Sequence, residues 1–185
     1  MDIFEAIHNR QSIGKVKPDP VPRELIEKIL AAAAQAPNHH HVRPWRFVVL
    51  TGSGRERLGE AMAESIRQRD PNRLPAALEA ERAKFLRAPA LIAIGVDKPN
   101  EPKVVEIENI CAAAAASQNI LLAAHGLGLA AMWRTGPAAT DPNVKALLGF
   151  APDQHLIGFI YIGYPLVEPA KPNRPSFEDR TRWME

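Results

Sequence analysis

From Ile110 to Met132 the chain is built mostly of Ala, Ile and Leu. So apolar a stretch must either cross a membrane or lie at the centre of a fold, and its length is about that of a bilayer span. Ser117, Gln118, Asn119 and His125 interrupt it, and Gly126 and Gly128 end its helical part early. Its apolar content is mainly Ala, which inserts weakly compared with Leu or Phe. The segment is therefore expected as a central helix over roughly 105–125, buried on all sides, with no membrane partner. Its small side chains also let another helix approach closely, which makes it a candidate interface.

The rest of the chain falls into short elements around that helix. Apolar, β-rich runs at Arg46–Thr51, Ala90–Val96, Leu129–Thr135 and Leu156–Ile162 read as four strands. Helices are expected over Asp2–Asn9, with Ile3, Phe4 and Ile7 on one side, and from Pro22 to Pro37, with Leu25, Ile26, Ile29, Leu30 and Ala33 inward. Two more are expected over 55–69 and 75–87, and a short one from Thr140, its expected N-cap, to about Leu148. Helices separate the strands too unevenly for repeated βαβ units. The pattern favours an α+β sandwich with a mixed sheet over a doubly wound parallel one. From Gly163 onward, Pro165, Pro169, Pro172 and Pro175 forbid a helix, so 163–185 is an extended tail, suited to wrapping a partner subunit.

Charge and cysteine content exclude several functions. The 23 basic and 21 acidic residues leave a net charge of +2, with no basic run interleaved with aromatics, so no nucleic-acid partner is expected. Cys111 alone can form neither an intrachain disulfide nor a Cys-rich metal site, and its Ala-rich surroundings are those of an inert core thiol. Acidic residues near Met1 do not make a signal peptide, and a cytoplasmic location follows as the expectation. At 185 residues, 1–185 is read as one domain.

The recognisable motifs mostly fail on context. Gly126-Leu-Gly128-Leu-Ala-Ala131 has the dinucleotide spacing, yet it closes a helix and opens a strand, the reverse of what pyrophosphate binding needs. Gly126 is then a helix-capping glycine. Gly52-Ser-Gly54 follows a strand, but Arg57 stands where close helix–strand packing wants a third glycine. His39-His40-His41 are adjacent and lack a spaced partner, so no metal is expected and the loop is solvated or faces a ligand. No nucleophile motif surrounds Ser12. Arg10-Gln11-Ser12, after the first helix, offers a planar guanidinium fork, an amide and a hydroxyl, a set that suits a phosphate or polyol. Trp133-Arg134-Thr135-Gly136 ends a strand with a second Arg–hydroxyl pair, a natural place to face a ligand.

Taken in order, these segments resemble the FMN-dependent NAD(P)H nitroreductase family, in its compact subgroup. The resemblance rests on Arg10-Gln11-Ser12, Ala36-Pro37-Asn38-His39 and Pro44-Trp45-Arg46-Phe47. It continues through Ala124-His125-Gly126-Leu127-Gly128 and Trp133-Arg134-Thr135-Gly136 to Gly158-Phe159-Ile160-Tyr161-Ile162-Gly163-Tyr164-Pro165, and so covers nearly the whole chain. It implies a three-layer α/β/α sandwich with a mixed, mainly antiparallel sheet, and a homodimer whose C-terminal tails are exchanged. It implies FMN as cofactor, NAD(P)H as electron donor and a nitroaromatic, quinone or similar small acceptor, served in turn by one pocket. By the same resemblance Arg10, Gln11 and Ser12 hold the phosphate end of FMN. Gln35 and His39 approach it from the other subunit, and Trp133, Arg134 and Thr135 line the far side. No side chain is expected as a catalytic residue, because the flavin carries the chemistry. Three departures mark the chain: Gln11 where the family usually has a second Arg, Arg43 where Gln often precedes Pro-Trp, and Gln35 where a basic residue often stands. A Rossmann-type NAD-binding protein, resting on Gly52 and Gly54, and a non-catalytic dimeric flavin-binding protein are the alternatives.

Overall fold

The computed structural model describes residues 2–170 and 172–185. Four strands, β1 (Trp45–Thr51), β2 (Ala90–Val96), β3 (Ala130–Arg134) and β4 (His155–Gly163), form one sheet in the order β1-β2-β4-β3. Every strand pair is antiparallel; the parallel element of the mixed sheet is an isolated bridge between Ser12 and Ala131. β2 is buried along its whole length, as an apolar strand covered on both faces must be.

Side-chain alternation builds the two outer layers. Ala90, Ile92, Ile94 and Val96 of β2, with Ile160 and Ile162 of β4, face α2 (Arg23–Ala33) and α5 (Glu106–Gly126). Leu91 and Ala93, with Phe159 and Tyr161, face α3 (Ser53–Arg69), the 3-10 turn Lys84–Leu86 and α7 (Pro142–Leu147). The result is the expected α/β/α sandwich. α1 (Ile3–Asn9), α4 (Pro75–Ala83) and α6 (Pro137–Thr140) complete the helices.

The structure corrects several local expectations. α5 is not buried on all sides. Asn109, Ala112, Ala113, Ala116, Ser117, Ile120, Leu121 and Ala124 form one buried stripe at helical spacing, while Ile107, Cys111 and Gln118 point outward. Cys111 is thus an exposed thiol. The helix is capped by Gly128, not Gly126. Gly128 has φ +75°, its N–H donates to the carbonyl of His125, and the N–H of Leu129 donates to that of Ala124, the two bonds of a Schellman cap. Asp141, not Thr140, is the N-cap of α7; Thr140 instead ends α6. α4 stops at Ala83 and passes into the 3-10 turn.

α1 has no buried residue, and Phe4 is 70% exposed. A seven-residue helix with an apolar face does not hold itself against water, so this face is an unsatisfied contact surface within the single chain. Among the described residues no helix is long and apolar enough to cross a membrane.

Candidate functional site

Arg10 follows α1 directly, and the chain then runs beside β3, where Ile13 N–H donates to the carbonyl of Ala131 at 3.0 Å. The C-terminal segment returns along the same stretch. Lys17 N–H donates to the carbonyl of Tyr164, Leu166 N–H to that of Lys15, and Gln11 Nε2 to that of Ala170 at 2.5 Å. At the end of this pairing the Arg174 guanidinium donates to the backbone carbonyl of Arg10. Of the expected tail 163–185, Tyr164, Leu166, Ala170 and Arg174 therefore lie against their own chain. Phe177, Trp183 and Met184 beyond Arg174 stay exposed.

Two guanidiniums thus meet beside Gln11 and Ser12. The Arg10 guanidinium is pushed below its ordinary pKa, first by burial and then by the charge of Arg174. Neither Arg10 nor Arg174 forms a salt bridge with a carboxylate among the described residues. Two like charges close together without a paired carboxylate make this a candidate anion site. Sequence reasoning missed Arg174. It stands in Pro172-Asn173-Arg174-Pro175 with no periodicity around it, and only the return of the tail gives it a partner.

β3 separates its three candidates. Trp133 packs against the α5 side of the sheet, and its indole N–H donates to the carbonyl of Ile157 at 3.1 Å. Gly158 makes room for it at a bulge in the β2–β4 register, with φ +135°; a Cβ there would lie 2.6 Å from the indole nitrogen and 2.5 Å from the Arg134 carbonyl. Arg134 points to the opposite face, its guanidinium 5.6 Å from the ring centroid of Tyr161. Thr135 is exposed at the strand's end. Past the bridge at Ala131, the outer edge of β3 has no strand partner among the described residues, so its backbone groups remain open to a ligand.

Gln35 and His39 lie elsewhere. Gln35 is exposed just past α2, and its amide reaches no further than the carbonyl of Ala31 at 3.5 Å. His39 opens a 3-10 turn (His39–His41) with its Nε2 3.5 Å from Glu108 near the start of α5. His40, His41 and Arg43 all have φ near +50°, and Arg43 N–H is tied to the Asn38 side chain at 2.8 Å. Such left-handed backbone in non-glycine residues is costly and clusters at ligand sites. The turn borders a cavity of about 490 Å³ lined by Asn38, His39, Ile107, Glu108, Cys111 and Ala115. Arg10 and Ser12 sit by the strand that follows the far end of α5, roughly 27 Å along the helix at 1.5 Å per residue. One chain does not bring the two groups together. No cluster of potential metal ligands occurs among the described residues.

Comparison with known proteins places the sequence and the fold in one family. A model of the nitroreductase family matches residues 7–164. A candidate NAD(P)H nitroreductase of Escherichia coli K12, YdjA, is 30% identical over 166 residues, 89% of either chain. A Methanothermobacter thermautotrophicus protein described as a candidate NADH dehydrogenase/NAD(P)H nitroreductase is 38% identical over 172 residues, 91% of this chain and 80% of its own. Among solved structures, a nitroreductase-like protein from Bacillus cereus superposes with a TM-score of 0.83 at 26% identity, covering 100% of this chain and 97% of the other. One from Desulfovibrio desulfuricans in complex with FMN gives 0.72 at 26% identity over 95% and 92%. With a family model matched across most of its length, and relatives alike in sequence and fold, the chain belongs to the nitroreductase family.

Proposed function

We propose that the protein is a homodimeric FMN-dependent oxidoreductase that passes hydride from NAD(P)H to a quinone, nitroaromatic or similar small acceptor by a ping-pong cycle. The observation that carries this is the meeting of Arg10 and Arg174 beside Ser12 without a carboxylate, which fits the phosphate of FMN in charge and donor set. Arg10 and Arg174 would hold the phosphate, with Gln11 and Ser12 as neutral donors. The open edge of β3 at Trp133–Thr135 would offer backbone donors and acceptors to the ring system. The chemistry supplied by the bound flavin is acceptance of a hydride at N5 and its return to a second substrate. The chain's own part is to bind, orient and exclude water; no acid–base pair is needed.

Two chains complete each site in this reading. His39 lies too far along α5 to reach its own Arg10, and a partner packed on α1 and the outer face of α5 would bring its own Gln35 and His39 in. The exposed apolar residues of α1, Ile107 on α5 and Trp183 in the tail are the surfaces such a partner would cover. The tail past Arg174 would then pack on that subunit, and 1–185 would act as one domain. The need for reduced nicotinamide fits a cytoplasmic location.

A single pocket used in turn is supported by the failure of both glycine motifs: Gly126 and Gly128 close α5, and Gly52 precedes α3 without a third glycine. Steady-state double-reciprocal plots with NAD(P)H and a quinone are expected to be parallel. Intersecting lines, together with a ternary complex seen by direct binding, would contradict the shared pocket.

A further inference from the structure

The outer face of the sheet carries a second cavity, of about 490 Å³, between α3, the 3-10 turn Lys84–Leu86, α6 and the ends of β3 and β4. Its walls include Met62, Phe85 and Phe159, with the two phenyl rings edge to face at 6.1 Å. Such a pair makes a rigid apolar wall for a flat group. The size is within the range of small-molecule sites.

The polar groups of the cavity are few, and most are already engaged. Arg69 pairs with Asp141 at 3.3 Å and Lys84 with Glu81 at 2.6 Å. Arg134 has no carboxylate partner among the described residues. Its Nε touches Met132 Sδ at 3.2 Å, and its guanidinium lies over Tyr161. Tyr161 is 93% buried by side-chain packing, its relative exposure being 7%, and its hydroxyl has no hydrogen-bond partner among the described residues. A phenol is an O–H donor at neutral pH, and burial here raises its pKa further. A free guanidinium and a free phenol O–H, side by side against an aromatic wall, ask for an oxyanion carried on a flat apolar body.

We propose that this cavity binds a small aromatic carboxylate, with its carboxylate on Arg134 and the Tyr161 hydroxyl and its ring against Phe85 and Phe159. The site does not depend on the flavin reading. Strand alternation turns Arg134 to this face and Trp133 to the other, so the cavity lies across the sheet from Trp133. Arg134 thereby leaves the set of eight flavin contacts that the family resemblance implies, and serves this pocket instead.

The probe is 2-naphthoate, titrated by calorimetry into the flavin-loaded protein and followed through the labelled methionine methyl groups. Binding is expected with a dissociation constant below about 1 mM. The Met62 methyl resonance should shift, while that of exposed Met184 should not. The neutral isostere 2-naphthylmethanol should bind about tenfold or more weakly, since it loses the charge-assisted bonds. Arg134→Gln should weaken naphthoate by about the same factor, and Tyr161→Phe, which keeps the packing, by about threefold to tenfold. Naphthoate binding to the unaltered protein is expected to leave flavin absorption and flavin retention unchanged. The proposal is overturned by a dissociation constant above about 1 mM, by equal binding of acid and alcohol, or by naphthoate that displaces the flavin. Tyr161→Phe without effect overturns it too.

Discussion

Replacing Arg10 with alanine lowers FMN affinity by roughly 10- to 150-fold. A charge-assisted hydrogen bond to the phosphate is worth about 1.5–3 kcal/mol, and each 1.4 kcal/mol is about tenfold. Arg174→Ala loses a similar factor, because its guanidinium sits on the Arg10 carbonyl, close enough to lower the Arg10 pKa. Arg10→Lys recovers only part: the ammonium keeps the charge and loses the planar fork. Riboflavin, which lacks the phosphate, binds all these variants almost as it binds the unaltered protein. The flavin-free protein responds differently. Arg174→Ala removes a like-charge neighbour from Arg10, which offsets the lost hydrogen bond to the Arg10 carbonyl, and leaves stability nearly unchanged, whereas a purely structural arginine would leave it lower. Flavin binding by fluorescence quenching and apo-protein melting together check both expectations. Equal weakening of FMN and riboflavin would mean that the arginines hold the loop and do not read the phosphate.

The largest effect on stability is expected at Asp141. Its side chain is fully buried and accepts four hydrogen bonds. They come from Ser65 Oγ at 2.6 Å, Asn143 N–H at 3.0 Å, Val144 N–H at 3.1 Å and the Arg69 guanidinium at 3.3 Å. It caps α7 and joins that helix to α3 across 76 residues of chain. Asp141→Ala removes the cap and strands a buried hydroxyl and two amides, a loss of about 3–5 kcal/mol. For a chain of this size that is a drop in Tm of roughly 6–20 °C, at about 2–4 °C per kcal/mol. Asp141→Asn keeps an acceptor for the amides and recovers part of the loss. In urea the midpoint should fall with little change in slope. A loss below about 1 kcal/mol would show that water replaces these bonds and that the network does not tie the two helices.

Much of this fold was legible in the sequence because its core elements are extreme in composition. The run Ala90–Val96 has no polar residue and is fully buried in the structure. Burial on both faces of a strand leaves that signature. α5 was legible as a helix but not as a one-sided one. Its outer face is also Ala-rich and apolar, so no contrast marks which side is buried, and Cys111 was assigned to the wrong one. At α7 the signal was present and misread. Pro142 occupies the first helical position, which makes the residue before it, Asp141, the cap.

The candidate site was legible only in pieces. Arg10-Gln11-Ser12 stood out because three different donors are adjacent, and the structure places them by a strand edge. Arg174 comes to them from 164 residues away, through backbone pairing of the tail that no local pattern announces. Arg134 and Thr135 adjoin Trp133 in sequence, but the alternation of β3 and the bulge at Gly158 send Trp133 and Arg134 to opposite faces. In the proposed reading Gln35 and His39 would belong to a half-site that a partner subunit completes, which no local pattern in one chain marks.

The central claim is that a flavin binds beside Arg10, Arg174 and the open edge of β3. The direct measurement is the visible spectrum of the purified protein, reconstituted with FMN if needed and then titrated anaerobically with NADH or NADPH. The account predicts a yellow protein with about one FMN per chain, released intact on denaturation, whose flavin bands bleach as the nicotinamide is added. A colourless protein that takes up no FMN on reconstitution would contradict it.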